Sequence, residues 1–366
     1  LNRFLMENHM RRALELAAKA EGQTYPNPMV GALVIQGGKV IAEGYHRRAG
    51  LPHAEIVALK KAGSRARGAT LVVSLEPCCH VGRTSPCTDA ILKSGVREVV
   101  VGMRDPNPRV AGKGIRILQR NGVKVARDVL RPECERLNEV FVKYITTGFP
   151  FVTLKSALSL DGKIATAAGE SRWITSAPAR RYVHHLRHTC SAILVGAGTV
   201  VMDNPRLTAR PEKKTGGHPA RVILDNQNRV PLGARVFHNS RTQRVIYVMS
   251  PEGPEEKEQV LVARGVEVIR IREKGGGIDL RRLFRTLARM ELTSILIEGG
   301  GQVNASVLEA GLVDKVVFFL APLIIGGKEA PGPVMGAGVR RLRQALKLKN
   351  VKWTPIGSDW MVEGGL

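Results

Sequence analysis

Four residues of this 366-residue chain have the types and spacing to do chemistry at a metal: His53, Glu55, Cys78 and Cys87. One imidazole and two thiolates fill three corners of a tetrahedral zinc ion and leave the fourth open to water, as a catalytic site requires. Two thiolates and a neutral imidazole also cancel the charge of the ion. A carboxylate two residues from the histidine is then the proton carrier. In a helix, positions i and i+2 lie about 200° apart, so His53 and Glu55 converge on one ion only if it sits over a helix's first turn. There the free N–H groups and the positive dipole end favour the negative charge that develops on an activated water. The pattern predicts one zinc ion per chain, held by His53, Cys78 and Cys87 and served by Glu55.

The elements that position these groups are readable nearby. Cys78 follows an apolar strand over 70–75. Ser85-Pro86-Cys87-Thr88-Asp89 offers a capping residue and a proline suited to the first helical position, ahead of the apolar run Ala90-Ile91-Leu92. Cys87 then falls in the first turn of a helix running to Ser94, where its thiol pKa is expected to drop. Two blander readings stand beside this one. The histidine and cysteines could be core residues, or they could form a structural zinc closed by Cys79 or His80. Glu55 weighs against the structural zinc, which has no use for an acid, and Cys79 is expected to be a bystander.

The first half alternates strands and helices. A helix over 5–20 precedes a hairpin of 29–36 and 39–43 around Gly37-Gly38, and strands at 98–101 and 123–127 flank a helix at 114–121. This order predicts a three-layer α/β sandwich. Asn27 and His46 then stand at loop or strand ends near the zinc, as substrate contacts, a turn cap or a surface histidine. Arg83, between the zinc ligands, is a candidate for a phosphate. A helix over 133–145 leads to the stretch from Thr146 to Pro150, which divides the chain into expected domains 1–146 and 147–366. The second half has no G-x-G-x-x-G after its first strand, which is evidence against a doubly wound nicotinamide domain. It has instead two strand–glycine–helix units, at 193–200 and 294–305, whose helix starts suit a ligand with more than one phosphate.

The formal net charge is +24, but the basic residues are dispersed and aromatics make up only 4%, so phosphorylated small molecules fit better than nucleic acid. No stretch is long and apolar enough for a membrane span, and the first residues do not read as a secretory leader. Five cysteines without a framework spacing suit a reducing cytoplasm.

H-x-E followed by P-C and a later cysteine is the pattern of zinc nucleobase deaminases, although the second cysteine here lies nine positions after the first. With that spacing, the string Glu76-Pro77-Cys78-Cys79-His80-Val81-Gly82-Arg83-Thr84-Ser85-Pro86-Cys87 resembles the bifunctional deaminase/reductase family of riboflavin biosynthesis. So do Pro26-Asn27-Pro28-Met29-Val30-Gly31, Gly44-Tyr45-His46 and Asp105-Pro106-Asn107-Pro108. The second half is similar to the family's reductase domain in Lys155-x-Ala157-x-Ser159-Leu160-Asp161-Gly162-Lys163, Gly169 to Thr175, Asp203-Asn204-Pro205, Asp225-x-x-x-Arg229 and Glu298-Gly299-Gly300.

The resemblance implies a cytidine-deaminase-like α/β/α domain followed by a dihydrofolate-reductase-like α/β domain. It implies NADPH at Ala157, Trp173, Thr199, Asp203, Asn226 and the turn of Gly300, Gly301, Gln302, Val303, Asn304, Ala305 and Ser306. It implies substrate at Asn27 and His46 in the first half and at Ser171, Arg187, Leu207, Arg210 and Glu298 in the second. Arg187 and Arg210 also have the chemistry to grip a ribose 5-phosphate, and Asp161-Gly162 reads first as a turn. The expected activity is deamination of a phosphorylated pyrimidine ribotide followed by reduction of its ribosyl chain, in a homo-oligomer.

Overall fold

Met10, Ala13, Leu16 and Ala17 recur at helical spacing and are the buried face of α1 (Arg3–Ala18), whose N-cap Asn2 accepts the Leu5 N–H. The computed structural model describes residues 2–80, 85–210, 218–274 and 277–366. The chain divides into two units, Leu1–Phe149 and Pro150–Leu366.

In the first unit, β1 (Gly31–Gln36) and β2 (Lys39–Tyr45) form the expected hairpin, followed by α2 (Ala54–Ala62), β3 (Thr70–Leu75), α3 (Cys87–Ser94) and β4 (Glu98–Met103). Then come α4 (Lys113–Arg120), β5 (Lys124–Ala126), α5 (Arg131–Leu137) and α6 (Glu139–Thr147). The sheet order is β2-β1-β3-β4-β5, with β3, β4 and β5 parallel. Every residue of β3 and β4 is buried, as parallel strands covered on both faces must be. Gly31 faces α1, while Gly44, the register partner of Ala32, faces α2. Successive strand residues point to opposite faces, so the two helices cover the two sides of the sheet and the unit is three-layered.

Two local expectations need correction. The helix expected over 133–145 is two helices that meet at Asn138, whose buried side chain accepts the Met29 N–H at 2.8 Å and donates to the Met29 carbonyl at 3.0 Å. Pro86 is the N-cap of α3 and not its first helical residue, and Ser85 lies outside the cap.

The second unit contains β6 (Phe151–Ser159), α7 (Ala177–Thr189), β7 (Ala192–Gly196), α8 (Ala197–Asp203), β8 (Ala220–Leu224) and β9 (Val245–Met249). It continues with α9 (Glu255–Ala263), β10 (Glu267–Arg270), the short pair β11 (Glu273–Lys274) and β12 (Gly277–Ile278), and α10 (Leu280–Arg289). The last elements are β13 (Ser294–Ile297), α11 (Gly301–Glu309), β14 (Lys315–Ala321), β15 (Lys349–Ile356) and β16 (Asp359–Gly365). The main sheet runs β10-β9-β8-β7-β13-β6-β14-β16-β15, parallel up to β14 and antiparallel beyond. β7 and β13 each run into a helix, and β7 does so with no intervening loop. Among the described residues, no helix is long and apolar enough to cross a membrane.

At Gly44 a Cβ would stand 2.4 Å from the Ala54 carbonyl oxygen and 2.6 Å from the Ala58 nitrogen. Both are backbone atoms of α2 and have no rotamer with which to yield. Gly44→Ala is therefore expected to destabilise the first unit by about 2 kcal/mol, read as a lower urea midpoint. An unchanged midpoint would show that α2 can slide off β2 without cost.

Candidate functional site

The H-x-E segment builds the start of α2. His53 is its N-cap, in extended conformation, and Glu55 lies in the first turn. Cys78 follows the end of β3, and Cys87 is the first residue of α3. The ligand atoms of His53, Cys78 and Cys87 lie within 4.8 Å of one another, with Nδ1 of His53 3.2 Å from the Cys87 sulfur and 3.5 Å from that of Cys78. Tetrahedral zinc, with Zn–S of about 2.3 Å and Zn–N of about 2.0 Å, places a nitrogen and a sulfur about 3.5 Å apart. The donor set fits the ion in type and spacing.

The electrostatics depart from expectation in one respect. Of the two thiols it is Cys78 that is lowered: the Cys87 thiol donates to it, and His53 and the Cys87 backbone N–H (3.4 Å) add to the effect, bringing its pKa to about 4. The same sharing, together with burial, pushes Cys87 up. Glu55 is buried, and that burial raises its carboxyl above the usual range. Cys79 is half-buried, with its thiol raised by burial.

Asn27 and His46 join this cluster. His46 is buried and neutral-leaning, because burial lowers its pKa. Its Nδ1 faces the Pro52 carbonyl at 3.2 Å, and its Nε2 faces Nδ2 of Asn27 at 3.1 Å. The neutral tautomer with the proton on Nδ1 satisfies both contacts. The rings of His46 and His53 meet edge to face, with centroids 5.2 Å apart. Arg83 lies outside the described residues.

In the second unit the predicted residues separate into groups. A cleft of about 1100 Å³ opens at the ends of β7, β8 and β13 and is lined by Ser171, Thr199, Asp203, Asn226, Gly300, Gly301, Gln302, Val303 and Ser306. Ser171 donates to Asp203 at 2.9 Å. Both glycine-rich helix starts face this one cleft, and Gly198 leaves open space where a Cβ would stand. Exposed N–H groups in a cleft of this size suit a dinucleotide with its pyrophosphate. Asn304 and Ala305 are buried on the other face of α11, where Asn304 donates to the Pro333 carbonyl. Ala157 packs under α7, Leu207 is buried in the core beside Val200, and Trp173 is exposed beneath the Arg180 guanidinium. None of these five side chains lines the cleft.

Glu298 and Arg187 form a part-buried bidentate pair at 2.6 and 2.8 Å, and Lys155 approaches Glu298 at 4.0 Å. Arg187 is thus neither a helix-surface cation nor a guanidinium open to a phosphate: its fork is engaged by Glu298, and its remaining nitrogen donates to the Thr208 carbonyl. Arg210 is exposed. Asp161 is a clasp, accepting the Ile325 and Gly326 N–H groups and the Ser159 hydroxyl.

Lys155 was given no role from the sequence, yet a signal was present. A parallel strand is covered on both faces, so a lysine in the middle of a strand with no other charged residue needs a partner there. Burial lowers its pKa. Met202, Met335 and the segment Gly277 to Arg281, which also line the cleft, carry no comparable mark.

Burial alone would raise the Glu298 carboxyl, but Arg187 and then Lys155 hold it down at about 2, below the ordinary 4.5. A depressed acid contributes stability that is complete above its unfolded pKa and is lost as pH falls through the folded one. The stability difference between wild type and Glu298→Gln should therefore be constant above about pH 4.5 and shrink below it. A difference independent of pH down to 3 in urea unfolding would show that the pair does not set this dependence.

Residues 5–103 match the cytidine and deoxycytidylate deaminase zinc-binding region, and residues 150–362 match the RibD C-terminal domain. The riboflavin biosynthesis protein RibD of Aquifex aeolicus is 42% identical over 98% of both chains. Among solved structures, Acinetobacter baumannii RibD is similar with a TM-score of 0.90 at 36% identity, covering 100% of both chains. The Thermotoga maritima diaminohydroxyphosphoribosylaminopyrimidine deaminase/5-amino-6-(5-phosphoribosylamino)uracil reductase has a TM-score of 0.86 at 39% identity, covering 99% of this chain and 98% of its own. With its zinc-binding deaminase half and its NADPH-dependent reductase half, the chain belongs to the RibD family of bifunctional riboflavin biosynthesis enzymes.

Proposed function

We propose that the first unit deaminates 2,5-diamino-6-ribosylamino-4(3H)-pyrimidinone 5′-phosphate and that the second reduces the resulting ribosyl chain to give 5-amino-6-(5-phosphoribitylamino)uracil. The observation that carries this reading is the convergence of His53, Cys78 and Cys87 with the buried Glu55 over one helix start. When bound by the three ligands, zinc supplies the Lewis acidity that makes water a nucleophile near neutral pH. Glu55 takes a proton from that water and returns it to the departing amino group, so that ammonia leaves as the ring carbonyl forms. The contact between Asn27 and His46 fixes both side chains at the edge of the site, and we assign them to the pyrimidine. Arg83 is assigned to the phosphate by its place between the ligands.

In the second unit, NADPH supplies the hydride that opens the sugar at C1. Thr199, Asp203, Asn226 and the start of α11 hold the dinucleotide in the cleft. Asn304 and Ala305 act through the packing of α11, and Ala157, Leu207 and Trp173 through backbone or stacking contacts. Glu298 binds the sugar hydroxyls, with Arg187 and Lys155 fixing its charge and orientation, and Arg210 is left to take the 5-phosphate. None of the five cysteines is in a disulfide, in keeping with a cytoplasmic enzyme.

We assign the uncovered sheet face beyond β6 to a second copy of the chain. Phe318, Val362 and Trp353 form one cross-strand row on it, and Leu320, Trp360 and Pro355 another. On the opposite face, Val317, Phe319 and Met361 are covered by α7. Trp353 is 60% and Trp360 48% exposed, too much apolar surface to leave in water. Sedimentation should give an oligomer for the wild type and a smaller species for Trp353→Lys. A wild-type monomer at micromolar concentration would sink this assignment.

Incubating the protein with the diaminopyrimidinone ribotide, with and without NADPH, tests the two steps and their order. Ammonia should appear without NADPH and the ribityl product only with it. Glu55→Gln should keep its zinc and lose deamination by about 1,000-fold or more. No ammonia from zinc-loaded wild type would overturn the deaminase reading.

A further inference from the structure

We infer that Glu76 is a positioning residue of the deaminase half, whose buried carboxylate locks the strand end carrying Cys78 to the loop from Asp105 to Gly112. The inference rests on the function proposed above.

Glu76 directly follows β3, stands two residues before Cys78 and is 3% exposed. Its Oε2 accepts the N–H groups of Asp105 at 3.2 Å and Gly112 at 2.9 Å, and its Oε1 accepts that of Ile115 at 3.1 Å. Its own N–H donates to the Met103 carbonyl at the end of β4. One residue therefore joins the ends of two adjacent parallel strands, by its backbone, to the loop after the second and the start of α4, by its side chain; Gly112 is the N-cap of α4.

A carboxylate suits this place because it satisfies helix-start N–H groups that have no partner within the helix, and the dipole favours its charge. The approach is close. A Cβ on Gly114 would stand 2.2 Å from the Pro77 carbonyl oxygen, so α4 lies directly on the backbone between Glu76 and Cys78.

The loop sets its own local shape, since Asp105 accepts the Asn107 N–H and Asn107 accepts that of Arg109. Those turns do not decide where the loop sits relative to the zinc ligands. Glu76 does, by fixing Asp105 at one end and Gly112 at the other. The fixed loop borders the site: it ends at Gly112, the N-cap of α4, and α4 rests on the Pro77 carbonyl, next to Cys78. Packing alone would be met by an apolar residue. Three converging N–H groups at the ligand-bearing end of the sheet require an acceptor with two oxygens.

Glu76→Gln in the full-length, zinc-loaded protein tests this. Glutamine has one acceptor oxygen and turns its amide N–H toward a backbone N–H, so the loop should shift while the zinc ligands stay. The expected result is unchanged zinc content, a KM for the ribotide in ammonia release raised by about tenfold or more, and a smaller change in kcat. The KM for NADPH in the reductase half should not move. Glu76→Asp, which keeps the charge, should recover part of the KM. An unchanged ribotide KM in Glu76→Gln would overturn the inference. So would deamination that falls only in step with zinc content in both variants, since Glu76 would then serve folding alone. These outcomes are distinct from failure of the functional reading, in which wild type itself releases no ammonia.

Discussion

The structure depends on bringing one imidazole, two sulfurs and a carboxyl from separate elements to a single point. Groups in the middle of helices or strands are held at fixed offsets by 3.6- or 2-residue periods, so distant segments meet most easily at element ends. All four groups sit there: His53 caps α2, Glu55 is in its first turn, Cys78 follows β3 and Cys87 begins α3. The close contact of Gly44 with α2 sets how near the helix lies to the sheet. Orphan N–H groups at the same helix ends give the site its local field, and one of them, on Cys87, reaches the Cys78 sulfur.

The second unit solves a related problem with charge. Glu298 comes out of water only because Arg187 and Lys155 accompany it, and that cluster sits directly before the glycines that open α11 onto the cleft. Breaking such a pair leaves a buried charge uncompensated, which costs about 3–5 kcal/mol. The arrangement therefore fixes Glu298 with little freedom of rotation. A carboxylate held in this way has its orientation settled before any ligand arrives.

The zinc site was legible in the sequence because its chemistry is written in residue types and in helix start signals. The strands were legible where apolar runs were unbroken, as in β3 and β7. What failed had tertiary causes. Asn138 reads as an ordinary helix residue until Met29, 109 positions away, is seen to occupy its side chain. Cys87 was expected to be the low-pKa thiol from its helix position, but Cys78 accepts both its thiol and its N–H. Arg187 looked open to a phosphate because nothing local reveals Glu298, 111 positions on.

Buried acids recur wherever loops must be held. Asp225 accepts the Arg229 and Val230 N–H groups and the Tyr247 hydroxyl, beside a cleft-lining loop. Asp359 takes the Ser176 N–H at the start of α7, and Glu76 takes three at α4. Past the ends of strands the ladder no longer satisfies backbone N–H groups, and an unpaired one in the interior is costly. A carboxylate offers two oxygens and a charge to several of them at once. In a chain with 56 basic and 32 acidic side chains, committing acids to such clasps removes them from the surface and leaves it more positive.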